Sequence, residues 1–182
     1  MKRFTQGFYA YAFAMAVCLA AVGVFLLITP QSRTEHIPEV DYSISLANLR
    51  RAASYQVWAP ERVPAGWVPT SSRATDEKGT ATWRLGFATA KGPDDKRAHA
   101  MLAESNEKPA AEFANRLANT STVTGTVRIG GVSWEQRVRE DKNQRSLVRF
   151  LPDVTLVVTG TASWEELSTL AGSLRQQEKV TP

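Results

Sequence analysis

The most apolar stretch of the chain extends from Phe8 to Ile28; its twenty-one residues include no charge, no Asn and no Gln. A helix rises about 1.5 Å per residue, so a stretch of this length can cross a hydrocarbon core about 30 Å thick. A secretory signal peptide is the alternative. Its apolar region is usually shorter and ends in paired small residues, whereas Thr29 and Pro30 follow here. The pattern therefore favours an uncleaved transmembrane helix over residues 8–29.

The charges that flank this stretch predict its orientation. Lys2 and Arg3 precede it directly, while Arg33 is the nearby cation after it. Because cationic flanks stay on the cytoplasmic side, residues 1–7 are predicted to be a short cytoplasmic end. We therefore expect a single-pass protein of the cell membrane, which contacts the lipid bilayer through this helix and carries its remaining residues outside the cytoplasm.

Residues 30–44 are polar, contain two prolines and show neither a helical nor a strand period, which predicts a tether. Residues 45–178 have the length of one domain and can bury a core of their own. We expect the chain to begin to fray after Arg175, and residues 179–182 are predicted to be a frayed tail outside the domain.

Alternation of apolar and polar residues marks the strands of this domain. In TATWRLGFAT, the apolar side chains at 83, 85 and 87 share one face, and HAMLAES follows a charged turn as the predicted return strand. In GTVRIGGVSW, the glycines at 130–131 fit a two-residue turn with positive φ at both positions. Pairing outward from this turn places three apolar pairs on one face: Ile129 with Val132, Val127 with Trp134, and Val123 with Val138.

A second hairpin, in RSLVRFLPDVTLVVTG, is predicted to turn at 152–153. Its strands are apolar on both faces, which is typical of central strands that are covered on both sides. Helical spacing predicts short helices in SISLANLRRAAS, PAAEFANRLAN and TASWEELSTLAGSL, and Ser163 with Glu166 forms a capping box at the start of the last one. The predicted fold class is therefore α+β, with a mainly antiparallel sheet of about six or seven strands packed by two or three helices.

The segment YQVWAPERVPAGWVPTSSR contains three prolines, so we expect an extended passage with a turn at 65–66 rather than a central strand. Trp58 and Trp67 bracket this passage. Two interpretations are open. Rigid aromatic side chains on a constrained loop make good contact surfaces, but they also pack well against the open end of a hydrophobic core. The tryptophans either form a stacking surface for a ligand or close the end of the sheet, and the second interpretation is favoured.

Charge and cysteine content narrow the choice of partners. The formal net charge of the chain is +4, and residues 1–36 contribute +2 of it, because three cations there oppose one carboxylate. The remaining charges are interspersed, so no nucleic-acid partner is expected. The single cysteine, Cys18, lies in the apolar stretch, and the chain therefore forms no intrachain disulfide.

Candidate residues for catalysis are few. One histidine, His36, lies in the predicted tether, and the other, His99, lies on a predicted strand with no motif that supplies a serine and an acid. Two distant histidines do not make a metal site, and no glycine-rich phosphate loop is present. We therefore expect neither an enzyme nor a cofactor. Four carboxylates are available for acid–base chemistry, although the sequence pairs no two of them: Glu104, Glu107, Asp141 and Glu165.

Several segments occur in an order that resembles a known family. They are WAPERVPAGWVPTSSR at 58–73, WRLGFAT at 83–89, GGVSW at 130–134, SLVR at 146–149 and VVTGTA at 157–162. Together with the apolar amino-terminal stretch, they make the chain similar to the actinobacterial family called domain of unknown function 4245. The stretch KGPDDKRAHAMLAESN departs from the pattern expected there. The resemblance implies a single-span protein of the cell envelope and carries over no catalytic residue.

Two hypotheses without catalysis follow from the sequence. In the first, the domain is a binding or interaction module that holds an envelope protein, an anionic glycopolymer or a lipid headgroup. In the second, the protein is a structural or assembly component whose apolar helix makes the specific contacts through its small residues. An envelope hydrolase that uses His99 or paired carboxylates is the least favoured alternative. The candidate surface of the first hypothesis comprises Trp58, Arg62, Trp67, Arg73, Arg128, Arg137 and Arg139.

Overall fold

The computed structural model describes residues 2–28 and 37–179, and within the first of these ranges it describes the side chains of residues 11–25. The chain divides into two compact units, Met1–His36 and Ile37–Pro182. The described part of the first unit is one helix, α1 (Lys2–Ile28).

Large apolar side chains of α1, including Tyr11, Phe13 and Leu19, are exposed. Among the described residues, no helix combines the length and the apolar character needed to cross a membrane. The prediction of a transmembrane helix from Phe8 to Ile28 is therefore not supported. The two ends of that stretch fall outside the described side chains.

Nine strands occur in the described part of the second unit, and they form two sheets. The large sheet has the order β2-β3-β4-β8-β7-β6-β5 with antiparallel neighbours throughout, and β1 pairs with β9 in a small sheet. The predicted antiparallel sheet of an α+β fold is confirmed. In chain order the strands are β1 (Trp58–Pro60), β2 (Val68–Glu77), β3 (Thr80–Lys91), β4 (Arg97–Ser105), β5 (Gly125–Ile129), β6 (Val132–Arg139), β7 (Gln144–Phe150), β8 (Thr155–Gly160) and β9 (Leu174–Gln176).

Three α-helices in the described part of the second unit pack on the two faces of the large sheet. The inner face carries the main core, to which α2 (Ser43–Ala52) and α4 (Trp164–Ser173) contribute apolar side chains. The outer face carries a smaller apolar cluster under α3 (Ala110–Ala118). The capping box at the start of α4 forms as predicted, since the Ser163 hydroxyl accepts from the Glu166 N–H and the Glu166 carboxylate accepts from the Ser163 N–H.

Both predicted hairpins are present. The glycines at 130–131 have φ of 56° and 84°, and Ile129 pairs with Val132 as expected from a two-residue turn. The second hairpin brings β7 and β8 together at the centre of the sheet, and both strands bury apolar side chains on each face. The predicted pair Val123 with Val138 is wrong, because β5 begins at Gly125 and leaves Val123 exposed.

The end of the chain differs from the sequence prediction. Instead of fraying after Arg175, the backbone continues as β9, and Trp58 pairs with Gln176 in the small sheet. The Gln177 N–H also donates to the Val57 carbonyl at 2.8 Å. Such pairing with a strand more than a hundred residues away in the chain leaves no local sequence pattern, so periodicity alone does not reveal it.

Part of the predicted tether also packs on the domain. The Val40 N–H donates to the Pro69 carbonyl at 2.9 Å. The Tyr42 ring lies 6.2 Å from the ring of Trp83, measured between centroids. Residues 37–42 therefore belong to the packed unit, whereas residues 29–36 lie outside the described part of the chain.

Candidate functional site

The outer face of the large sheet has a covered part and an open part. In the covered part, Phe113 of α3 packs against Val148 and Val157. Beyond α3, the outer faces of β2 and β3 form the floor of a groove with a volume of about 550 Å³. Four cations, two carboxylates and three threonines line it: Arg73, Lys78, Arg84, Arg116, Glu77, Glu107, Thr75, Thr80 and Thr82.

Two arginines lie side by side on the floor of this groove. Arg73 of β2 is the direct cross-strand neighbour of Arg84 of β3, and both side chains are exposed. Among the described residues, neither forms an ion pair. Like charges directly opposite each other destabilise a strand pair by about 0.2–1 kcal/mol, so this pair does not help the fold.

On the side of α3, the cation and the carboxylate in the wall of the groove are paired with each other. Arg116 donates to both carboxylate oxygens of Glu107, with distances of 2.9 Å and 2.6 Å. This hydrogen bonding raises the pKa of the Arg116 guanidinium above its ordinary value. The free positive charge of the groove therefore resides in Arg73 and Arg84 on the floor and in the exposed Lys78 at the hairpin turn.

Arg137 and Arg139, which the sequence placed on the candidate surface, serve the fold. Arg137 is only 4% exposed, and its guanidinium donates to Asn115 of α3 at 2.7 Å and to Glu135 at 2.8 Å. Arg139 donates to the Asn119 carbonyl at 2.7 Å, at the end of α3, where helix carbonyls lack partners within the helix. Both arginines therefore contact α3; Arg137 is buried, whereas Arg139 is partly exposed and paired with Asp141.

The other members of the predicted surface are scattered. Trp58 and Trp67 are half-buried against the main core, and the Trp67 ring meets the Phe87 ring edge-on at 5.9 Å. This packing agrees with the interpretation that the two tryptophans close the end of the sheet. Arg62 is exposed on the loop after β1, and Arg128 is exposed on β5 at the far edge of the sheet. Of the seven predicted residues, Arg73 alone lines the groove.

The residues considered for catalysis are not assembled into one centre. The His99 ring is exposed, and its Nδ1 lies 3.2 Å from the Phe87 carbonyl oxygen. Glu107 and Asp141 are each paired with an arginine, and Glu165 is exposed on α4. Within residues 2–28 and 37–179, no group of three or more His, Cys, Asp or Glu side chains is placed to hold a metal ion.

Glu104 is the exception among the carboxylates, because it lies inside the main core. Its side chain is fully buried, and one carboxyl oxygen accepts the Trp58 backbone N–H at 2.9 Å. The other oxygen has no hydrogen-bond partner among the described residues. Burial raises the pKa of this carboxyl to about 8, although the bond from Trp58 acts in the opposite direction. Glu104 is therefore mostly protonated at neutral pH.

Two features of the sequence could have indicated the Arg73–Arg84 pair and the burial of Glu104. Lys78 and Gly79 both have positive φ and form a two-residue turn, and counting outward from it pairs Arg73 with Arg84. Strand parity places Glu104 on the same face as Leu102, which is the core face. Neither the turn at 78–79 nor the inward position of Glu104 was among the sequence predictions.

Comparison with known proteins identifies the family. The model of the family described as "Protein of unknown function (DUF4245)" matches residues 3–174. The chain belongs to this family. The resemblance inferred from the sequence segments at 58–73 and 130–134 is thereby confirmed. No curated protein sequence matches the chain.

Among solved structures, the DUF4245 chain is similar to two structures of MucB. One is the crystal structure of MucB in complex with MucA(peri), at 13% identity and a TM-score of 0.38, covering 66% of this chain and 36% of that one. The other is the Pseudomonas aeruginosa MucA/MucB complex, at 15% identity and a TM-score of 0.34, covering 68% of this chain and 36% of that one. The chain thus spans little more than a third of the length of either match.

Proposed function

We propose that this DUF4245 protein is a non-catalytic interaction module that holds an acidic segment of a partner protein in the groove over β2 and β3. The observation that carries the proposal is the cross-strand pair of Arg73 and Arg84. Like charges at this distance cost the fold free energy, and a bound anion removes that cost. Binding of an acidic segment therefore relieves repulsion that the isolated domain contains.

The composition of the groove supports an anionic partner. Four cations face two carboxylates there, so the local formal charge is +2. One of the carboxylates, Glu107, is already engaged by Arg116. The three threonine hydroxyls supply additional hydrogen-bond donors and acceptors along the floor. The groove attracts negative charge and offers polar contacts that hold a bound segment in register.

The spacing of the two cations on the floor suits an extended, carboxylate-bearing protein segment. A guanidinium is a planar fork that binds a carboxylate through two parallel hydrogen bonds. Side chains at alternate positions of an extended segment lie on the same face and about 7 Å apart. Directly opposed Cα atoms in an antiparallel pair are about 5 Å apart, so Arg73 and Arg84 can each engage one of two such carboxylates.

A binding titration with a designed peptide tests the proposal. A fluorescent ten-residue peptide of alternating glutamate and serine should bind the full-length protein, and raising the salt concentration should weaken it. We expect Arg84→Gln to weaken binding about five- to tenfold, as loss of a charge-assisted contact does. Anisotropy at low and physiological ionic strength is the measurement.

The matched control is Arg128→Gln, which removes the same charge from the same face of the sheet at its opposite edge. This change should leave the affinity within about twofold of the wild-type value, because Arg128 lies outside the groove. Equal losses for Arg84→Gln and Arg128→Gln would show that the peptide responds to overall charge, and the groove proposal would then be wrong.

We further infer that the domain works outside the cytoplasm, at the cell membrane. The inference is supported by the cations Lys2 and Arg3 ahead of the apolar stretch and by the exposed apolar side chains of α1, which favour an apolar environment such as lipid. Protease added to intact cells without their wall should cleave a carboxy-terminal tag. Protection of the tag would place the domain in the cytoplasm.

The exposed apolar side chains of α1 also favour a second candidate function, in which this helix makes the specific contacts of an assembly component. Small residues such as Ala14, Ala16 and Gly23 allow another helix to approach closely. Replacing residues 8–28 by an unrelated apolar helix distinguishes the two functions. The interaction module retains its peptide binding and its cellular role after this exchange, whereas the assembly component loses its role.

A further inference from the structure

A second cavity, of about 300 Å³, lies on the inner side of the sheet, away from the groove. It is bounded by the β5–β6 hairpin, the end of α4 and the small sheet of β1 and β9. Its polar lining consists of two cations, two indoles and one amide: Arg149, Arg175, Trp58, Trp134 and Gln176. We call this cavity the indole pocket.

Arg149 is held in the indole pocket by aromatic rings rather than by an anion. Its guanidinium lies 5.2 Å from the centre of the Trp58 ring and 6.0 Å from that of Trp134. The side chain is half-buried, and burial lowers the pKa of the guanidinium below its ordinary value. In the described part of the chain, no carboxylate forms an ion pair with it. Stacking fixes the position of this cation and leaves its charge uncompensated.

The indoles add hydrogen-bond donors without acceptors. The Nε1 atoms of Trp58 and Trp134 are buried, and neither has a partner among the described residues. An indole N–H only donates, as does a guanidinium, so neither indole supplies an acceptor for Arg149. The nearby carboxyl of Glu104 already accepts from the Trp58 backbone and is mostly neutral, so it does not compensate Arg149.

The opposite wall of the pocket is apolar, while Arg175 at its edge is paired with Glu61 at 3.5 Å. Ile129 and Val132 of the β5–β6 hairpin and Ala171 and Leu174 at the end of α4 face the same cavity. A volume of about 300 Å³ equals about ten water molecules in liquid, which matches a chain of about eight carbons with a small polar head. The pocket thus combines a cationic polar end around Arg149 with an apolar wall.

We propose that the indole pocket binds a carboxylate attached to a short apolar chain, with Arg149, stacked on the two indole rings, binding the carboxylate and the apolar wall holding the chain. A medium-chain fatty acid has this chemistry, and so does the carboxy terminus of a polypeptide that ends in an apolar residue. The site is independent of the groove, because the two lie on opposite faces of the sheet and share no lining residue.

Calorimetric titration of the full-length protein tests the pocket with four probes. They are octanoate, its neutral analogue octanamide, a hexapeptide ending in leucine with a free carboxylate, and the same peptide amidated. We expect octanoate or the free-acid peptide to bind, and both neutral analogues to bind at least tenfold more weakly. Binding of octanoate alone identifies a fatty acid as the ligand source, and binding of the free-acid peptide alone identifies a chain terminus.

Two variants locate the binding. Arg149→Gln should weaken binding of the acid about 10- to 100-fold, as expected for loss of a charge-assisted contact. Gly172→Leu tests the pocket without altering its polar end, because a Cβ at Gly172 meets only the Ile129 side chain, at 3.4 Å, and the longer side chain extends into the cavity. This variant should also abolish binding.

Arg145→Gln is the matched control, since Arg145 lies on the same face of the same strand but outside the pocket. It should bind the acid with wild-type affinity, and thermal unfolding of each variant should confirm that it is folded. The proposal is overturned if neither acid binds, if the neutral analogues bind equally well, or if Arg149→Gln and Gly172→Leu both leave the affinity unchanged.

Discussion

The covered and open parts of the outer sheet face differ in whether their arginines have partners. Under α3, Arg137 is buried and has hydrogen-bond partners on both the helix and its own strand. In the open part, Arg73 and Arg84 are direct neighbours on the adjacent strands β2 and β3. Neither forms an ion pair among the described residues. Arginine is therefore a structural element in one part and a candidate ligand-binding element in the other.

This difference shows that exposure and partners, rather than residue type, separate the candidate site from the scaffold. Four of the seven predicted surface residues are arginines on strands, namely Arg73, Arg128, Arg137 and Arg139. Their positions relative to α3 determine which of them can meet a partner protein. The comparison predicts that substitutions in the covered part mainly change stability, whereas substitutions in the open part mainly change binding.

The largest expected effect concerns Glu104, a carboxyl in the main core on the inner face, which is kept neutral by burial instead of being paired with a cation. Its pKa is raised from 4.5 to about 8, so the folded state retains a proton that the unfolded state releases. Its contribution to the free energy of unfolding is fully present below pH 4.5 and is lost as the pH rises to about 8.

Glu104→Gln removes this titration and keeps an acceptor for the Trp58 N–H. The wild type should lose stability as the pH rises from 5 to 8, and the variant should not. The difference in the free energy of unfolding between the two should therefore grow by on the order of 3–5 kcal/mol over this range. Urea unfolding of both proteins across this range is the measurement. Parallel stability curves would show that the carboxyl does not titrate with the raised pKa.

The next effect concerns Arg137. Arg137→Met preserves much of the side-chain volume but removes the bonds to Asn115 and Glu135. We expect a loss of about 2–4 kcal/mol in the free energy of unfolding, because a carboxylate and an amide near the sheet lose their partner. Denaturant unfolding tests this value. A loss below about 0.5 kcal/mol would mean that α3 is held by its apolar contacts alone.

Local pattern in the sequence was sufficient for much of the fold. The turn at 130–131, the capping box of Ser163 and Glu166 and the central hairpin were predicted because each depends on neighbouring residues. The β1–β9 pair was not, because its partners are distant in the sequence.

The candidate site was predicted less well. Arg73 was identified as a surface residue, but its neighbour Arg84 was not, because their proximity depends on the unrecognised turn at 78–79. Arg149 occupies an inward position by strand parity with Leu147, and its contact with Trp58 arises only when the small sheet docks. Burial of charged residues depends on tertiary packing, which periodicity does not report.

A smaller effect is expected for the wall of the groove. Arg116→Ala removes a well-formed pair with Glu107, but Arg116 is half-exposed and the pair is accessible to solvent. The free energy of unfolding should fall by about 0.5–1 kcal/mol, and high salt should reduce this difference. Thermal unfolding at low and high salt provides the test. A loss that is insensitive to salt would indicate that the packing of Arg116 on the Phe113 ring dominates.

The smallest effect on stability is expected in the open part itself. Arg84→Thr removes the repulsion with Arg73 and introduces a residue that favours strands. The free energy of unfolding should stay unchanged or rise by up to about 1 kcal/mol. Urea unfolding of this variant, run beside Arg137→Met, compares the two parts directly. Destabilisation by more than about 1 kcal/mol would mean that Arg84 serves the fold.

Charge reversal tests the central claim most directly. The wild-type protein should bind the glutamate–serine peptide and not a lysine–serine peptide of the same length. The double variant Arg73→Glu, Arg84→Glu should bind the lysine–serine peptide instead, because the sign of the groove is inverted while the strand pair remains. A folded double variant that still prefers the acidic peptide would contradict the assignment of partner binding to this groove.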